Sequence, residues 1–289
     1  MPHRPAPSAD LRAALRGVRA FLLDLDGVIV LAGKAVPGAA DAITTLDRRG
    51  TPYRIVTNTS AVSRKTLSTW SKRLGAPIPP ERFESALSAS AAWTARRFPG
   101  QPLYVLASDD AKTEFSGQRL LTHREAGAKG ASAAAVVIGD SPEEATFDNL
   151  NRAFRLVLGG ATLVGMHRNP WWLTPEGPTL DSGAFVTGLE FASERPATIV
   201  GKPSAAFFAQ AVRDLRREAG RDLRRDEIAM VGDDVRTDIR ASQRAGLRGI
   251  FVLSGKHGAE DVEVAARERG GRRPDASAAS LAEVVAALD

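Results

Sequence analysis

The sequence contains no cysteine. Disulfides, thiolate metal sites and a cysteine nucleophile are therefore excluded, and the composition fits a cytoplasmic protein. Tyrosine is scarce, with two residues. That is too few to interleave with basic side chains as stacking platforms for nucleic acid. The formal net charge of +5 and the pI near 9.9 would otherwise invite that reading. However, arginines are scattered along the chain, as in Arg213, Arg216, Arg217, Arg221, Arg224 and Arg225, mostly with Asp or Glu neighbours. They read as charges on solvated helix faces, so no nucleic-acid partner is expected, although a mildly positive surface would attract phosphorylated substrates. Long hydrophobic runs are absent too. Stretches such as 133–138 are strand-sized, well short of the roughly 20 apolar residues of a membrane span, so no membrane partner is expected. The opening MPHRPAPSAD lacks the apolar run of a signal peptide and reads as a disordered lead-in.

What is present suits an ordinary globular chain of one large or two smaller domains. Its 289 residues are 43% hydrophobic and 25% charged, enough apolar material for a core. Strand-like runs at 20–25, 52–57, 198–201, 228–231 and 249–253 alternate with helical patterns at 38–49, 62–74, 204–218 and 235–245. Such alternation predicts an α/β fold with a parallel, Rossmann-like sheet. The middle carries its own strands, at 103–107, 134–138 and 162–166, and helices at 109–115 and 142–158. It also holds the irregular stretches Asn169-Pro170-Trp171-Trp172 and Thr174-Pro175-Glu176-Gly177-Pro178. The expected layout is a lead-in and helix at 1–19, a discontinuous core domain at 20–80 and 184–289, and an inserted α/β domain at 81–183.

Four signals fall at predicted strand ends, where open α/β sheets place their working groups. Asp24-Leu25-Asp26-Gly27 closes the first strand. Two carboxylates two residues apart project to one side of an extended chain. Ionised together they repel, unless a cation such as Mg²⁺ neutralises them or one is protonated. A solvated turn would also read this way. Thr57-Asn58-Thr59-Ser60 closes the second strand and offers hydroxyls, an amide and a helix start to a phosphate; it is equally an ordinary N-cap. Lys202, in Gly201-Lys202-Pro203-Ser204, is a lysine in a chain whose default base is arginine, and it precedes a helix. It could neutralise a phosphoryl oxygen or simply lie at the surface. Gly232-Asp233-Asp234-Val235-Arg236-Thr237-Asp238 follows a buried strand with three carboxylates, more than capping requires.

In this order, DxDGV, TNxS, GKP and GDDxxxDI, the motifs resemble the haloacid dehalogenase superfamily of phosphohydrolases. An insertion between the second and third motifs resembles its subfamily with a large α/β cap, which includes NagD-type nucleotide phosphatases. The stretches 150–156 and 183–190 resemble a branch containing the phospholysine phosphohistidine inorganic pyrophosphate phosphatase. The resemblance implies a phosphatase acting on a small phosphorylated metabolite. Asp24 would be the nucleophile that becomes an aspartyl phosphate, and Asp26 the acid/base. Mg²⁺ would be held by Asp24, the Asp26 carbonyl and Asp233, with Asp234 or Asp238 in support. Thr57 and Asn58 would hold phosphoryl oxygens, and Lys202 would balance the remaining charge. Related capped enzymes often dimerise through the cap, so a homodimer is one assembly to look for. An idle phosphate-binding relative and a phosphoryl transferase are the alternatives.

The segment 166–172 matches neither NagD-type nor phospholysine-type patterns closely, so no particular substrate carries over. Within it, His167 and Arg168 are candidate specificity residues, while Trp171 and Trp172 either join them or pack the cap or a subunit contact. His123 and His257 read as surface histidines. Lys256, after the last clear strand, is a candidate for the rim of the site.

Overall fold

The computed structural model describes residues 9–288. Residues 1–8 of the expected lead-in lie outside the described residues; its last two, Ala9 and Asp10, are not a disordered lead-in but open the helix Ala9–Leu15. The chain divides into two compact units. One comprises Met1–Thr57, Ser68–Phe83 and Ala205–Asp289; the other comprises Asn58–Leu67 and Glu84–Ser204.

The first unit is built on a sheet ordered Ala276–Ala278, Arg248–Val252, Ile228–Gly232, Ala20–Leu23, Tyr53–Thr57 and Phe83–Ser85. The last of these strands begins where the chain passes into the second unit. Ala20–Leu23, Tyr53–Thr57 and Ile228–Gly232 are buried throughout, as parallel strands covered on both faces must be. Leu23 pairs in parallel with Val231 on one side and Ile55 on the other. That register brings the ends of three neighbouring strands level, so Asp24, Thr57 and Asp233 leave the sheet at one edge. Helix Ala39–Arg48 buries Ala39, Ala42, Ile43 and Leu46, the i, i+3, i+4, i+7 stripe of an amphipathic helix. This helix packs against Leu281–Ala286. Burying one such leucine contributes about 2 kcal/mol.

The second unit has its own parallel sheet, ordered Thr198–Ile199, Thr162–Gly165, Ala135–Ile138 and Leu103–Leu106. Helix Phe147–Leu158 starts at Thr146, whose hydroxyl accepts from the Asn149 N–H. Its buried face, with Ala153, Leu156 and Val157, joins Tyr104, Val136, Ile138, Leu163 and Val186 in the core.

This unit differs from the expected insertion at both ends. The return to the core domain was expected at residue 184, but that position lies inside helix Ser182–Ser193, which packs against Phe147–Leu158 and Thr162–Gly165. The strand expected at 198–201 for the core sheet instead pairs with the inserted one, Thr198 opposite Val164. It is two residues long, too short for its apolar pattern to reveal which sheet it joins. Residues 58–67 also cluster with the inserted unit. Trp171 and Trp172 lie on a hairpin, Trp171–Thr174 with Gly177–Leu180, and are 37% and 41% exposed, so they do not fill the inserted unit's core. Among the described residues no helix is long and apolar enough to cross a membrane.

Candidate active site

In the first unit, carboxylate oxygens of Asp24, Asp233 and Asp238 lie within 4.8 Å of one another, and all three residues are buried. Asp24 follows the strand Ala20–Leu23, and its Oδ1 accepts the Leu25 N–H at 2.8 Å. Asp233 follows Ile228–Gly232, and its Oδ2 accepts the Lys256 N–H at 2.8 Å. Asp238 is delivered by a wide helical turn, Val235–Arg240. There the Asp234 carbonyl accepts from both Asp238 N (3.0 Å) and Ile239 N (3.2 Å), a π-type arrangement found often at functional sites. This turn folds Asp238 back so that Oδ2 accepts the Asp234 N–H at 3.2 Å.

Three buried carboxylates at this spacing cannot all be ionised without a counter-charge. Burial, reinforced by Asp238, pushes Asp233 up to about 7. A divalent cation with oxygen preference would remove that conflict, so the donor set fits Mg²⁺. Asp234 behaves differently. Burial works against its charge, but the Thr237 N–H, His257, Lys256 and the Arg236 N–H together hold it below the ordinary carboxylate value. Its Oδ1 accepts the N–H groups of Arg236 (2.8 Å) and Thr237 (2.9 Å), so it caps the following turn. Asp26 is exposed and stands outside the three-carboxylate cluster. Thr57 ends its strand fully buried.

The loop after Arg248–Val252 closes over this cluster. Gly27 has φ +77°, and a Cβ there would stand 2.5 Å from Asp233 Oδ2 and 2.8 Å from Gly255 Cα. A Cβ on Gly255 would overlap the Asp233 carboxylate itself. Ser254 Oγ donates to the Gly27 carbonyl at 2.6 Å. Lys256 Nζ lies 3.9 Å from Asp234 Oδ2. His257, expected at the surface, instead sets Nδ1 3.2 Å from the Asp233 carbonyl oxygen and 3.8 Å from Asp234 Oδ2. Sequence reasoning missed Gly255 and His257 as parts of the site. The signal available was their position after a strand neighbouring Ile228–Gly232.

In the second unit, Asn58, His167 and Lys202 come together while Arg168 turns away. Asn58 Nδ2 donates to the Lys202 carbonyl at 3.1 Å and to Asn169 Oδ1 at 3.2 Å. Lys202 and His167 are buried. Arg168 is exposed and pairs with Glu190 at 2.6 Å. His123, expected at the surface, has a side chain 42% exposed and accepts or donates at Nδ1 to Tyr104 Oη at 2.9 Å.

Known proteins resemble this chain in sequence and in fold. Residues 21–120 match a family described as haloacid dehalogenase-like hydrolase, and residues 199–284 match a related hydrolase-like model. The chain is 36% identical over 251 residues to the mouse haloacid dehalogenase-like hydrolase domain-containing protein 2, covering 87% of this chain and 90% of that one. It is 32% identical over 248 residues to the human phospholysine phosphohistidine inorganic pyrophosphate phosphatase, covering 84% and 85%. Its fold superposes on a p-nitrophenyl phosphatase from Archaeoglobus fulgidus with a TM-score of 0.80 at 24% identity, over 93% and 98% of the two chains. A glycerol phosphate phosphatase from Mycobacterium tuberculosis, solved with magnesium, gives 0.79 at 25% identity, over 94% and 77%. With its two α/β units and its ordered motifs, the chain belongs to the haloacid dehalogenase-like hydrolases, in their phosphatase branch with an inserted α/β cap.

Proposed function

We propose that this hydrolase is a magnesium-dependent phosphatase that releases phosphate from a small phosphorylated metabolite by way of an aspartyl phosphate on Asp24. The observation that carries the proposal is the buried trio Asp24, Asp233 and Asp238, with oxygens within 4.8 Å. Such a trio cannot be fully ionised without a cation, and one of its members, Asp24, follows the central strand and is placed to act as the nucleophile. Bound Mg²⁺ would supply charge neutralisation to the phosphoryl group and to the nucleophile. Asp24 attacks phosphorus as the leaving oxygen departs, and Asp26 protonates that oxygen. Asp26, exposed and able to exchange protons with solvent, then takes a proton from the water that hydrolyses the aspartyl phosphate. Thr57, the Asn58 backbone and Lys202 serve the phosphoryl oxygens.

The test is phosphate release from p-nitrophenyl phosphate by the full chain with and without Mg²⁺. Turnover requires the metal and is abolished in Asp24→Asn; full activity in that variant sinks the reading. Tight phosphoester binding without turnover in the wild type would indicate the idle relative instead. Appearance of phosphate on an added acceptor would indicate a transferase. The A. fulgidus and M. tuberculosis neighbours, named for p-nitrophenyl phosphate and glycerol phosphate, set the first compounds of a wider screen over sugar phosphates, nucleotides and pyrophosphate.

A further inference from the structure

His167 is buried in the second unit at the end of strand Thr162–Gly165, and both of its ring nitrogens are engaged. Nδ1 accepts the Asn169 N–H at 3.3 Å. A donor at Nδ1 leaves the ring proton on Nε2. Nε2 lies 3.1 Å from both Ser60 Oγ and Ser182 Oγ and 3.4 Å from Asp181 Oδ1. Ser60 Oγ in turn accepts the Asp140 N–H at 2.8 Å. The imidazole therefore ties three chain segments together: 58–60, 167–169 and the start of helix Ser182–Ser193.

Those ties run on to Lys202. Asn169 Oδ1 accepts from Asn58 Nδ2, which also donates to the Lys202 carbonyl. Asn169 is itself pinned by its carbonyl, which accepts the Gly183 N–H at 3.2 Å. Gly201 N donates to the Met166 carbonyl at 2.8 Å. A Cβ on Gly201 would stand 2.6 Å from that carbonyl oxygen and 2.7 Å from Asn58 Oδ1. The segments bearing Asn58, His167 and Lys202 are thus hydrogen-bonded to one another and closely packed at Gly201.

From this network we propose that His167 is a positioning residue for phosphate binding, acting through Asn169 to set the Asn58 amide and the Lys202 backbone. The inference rests on the proposed phosphatase function and assigns His167 a task other than touching substrate. A buried hydrogen-bond network of this kind makes its members strongly non-additive.

The experiment measures kcat and KM for p-nitrophenyl phosphate, the inhibition constant of inorganic phosphate and the Mg²⁺ dissociation constant. The variants are His167→Ala, His167→Asn, Asn169→Ala and the double His167→Ala/Asn169→Ala. Loss of such outlying support typically costs about 10–100-fold. Asn169→Ala and His167→Ala should each weaken phosphate inhibition and lower kcat/KM by about that factor, with Mg²⁺ affinity within about twofold of wild type. The double variant should be no worse than about the poorer single. His167→Asn, whose Oδ1 can replace Nδ1 as acceptor for the Asn169 N–H, should recover most of the loss. Asn169 is only partly buried, so its variant keeps the test open if His167→Ala does not fold. Unchanged phosphate inhibition in Asn169→Ala, or single-variant losses that multiply in the double, would overturn the proposal. Turnover surviving Asp24→Asn would instead overturn the reading on which it rests.

Discussion

Gly255 is packed so closely against Asp233 that a Cβ there would stand 2.0 Å from Oδ2 and 2.3 Å from the Asp233 Cβ. The neighbouring Lys256 N–H fixes the same carboxylate from the loop, at 2.8 Å. Gly255→Ala must therefore push Asp233 out of line with Asp24 and Asp238. Mg²⁺ affinity should fall by about tenfold or more, read by titration calorimetry alongside kcat at saturating metal. Affinity within twofold of wild type would show that the loop yields and the carboxylate does not.

Asp233 makes the stability of the metal-free protein depend on pH. Its value is raised from 3.8 to about 7 by burial and by Asp238. Between those values the folded state binds more protons than the unfolded state, so the stability slope with pH is negative. The contribution is fully present below about pH 4 and is lost as pH rises through about 7. The urea midpoint of chelator-treated protein should thus decline from pH 5 to pH 8, and Asp233→Asn should flatten the decline. Asp140, pushed up to about 6 by burial with Asp181 and Glu143 nearby, adds a slope of the same sign, which the difference between wild type and Asp233→Asn removes. Since the metal takes ionised carboxylates, Mg²⁺ should bind more tightly at pH 8 than at pH 6.

Much of this site was legible because its residues follow buried strands. Phe21-Leu22-Leu23 before Asp24 and Ile228–Gly232 before Asp233 are unmistakable apolar runs, and parallel pairing then puts their ends together. Support from Asp238 was expected, but its place within 4.8 Å of the other two was not. That placement depends on the wide turn after Asp234, which replaces the regular helix that periodicity suggests over 235–245. Gly255 and His257 lie on a loop whose approach to Asp233 is a long-range contact, invisible to local pattern. The Asn58–Asn169–Lys202 junction was hidden for a related reason. Its partners are separated by more than a hundred positions, and the strand before Lys202 is too short to reveal its sheet.

Neutralising Asp238 should have opposite effects on Mg²⁺ binding and on the stability of the metal-free protein. Asp238→Asn removes one of three clustered charges while its amide oxygen can still accept the Asp234 N–H. Mg²⁺ affinity should drop about 10–100-fold. With Asp238 neutral, one of the causes holding Asp233 high is gone, so the metal-free variant should exceed wild type in urea midpoint at pH 8. A variant weaker on both counts would mean that the carboxylate serves packing rather than charge.

A charge network beneath the strand leading to Thr57 separates fold from site. Arg54, buried on that strand, places Nη1 3.5 Å from Glu218 Oε2 and donates from Nη2 to the Glu81 carbonyl at 2.6 Å. Glu218 also pairs with Arg82 at 2.7 Å, and Arg82 lies 4.5 Å over the Tyr53 ring and bonds Asp47. Glu218→Ala would leave the Arg54 guanidinium buried without that carboxylate, a change that costs about 2 kcal/mol or more. Asp47→Ala breaks a partly exposed pair with Arg82 and a long hydrogen bond from Tyr53 Oη at 3.4 Å, and should cost about 1 kcal/mol. Urea unfolding of the two variants should therefore rank Glu218→Ala well below Asp47→Ala. Mg²⁺ affinity should stay at the wild-type value in both, because neither residue belongs to the Asp24–Asp233–Asp238 cluster proposed to hold the metal. Equal losses in the two variants would mean that solvent reaches Arg54 and already screens its charge.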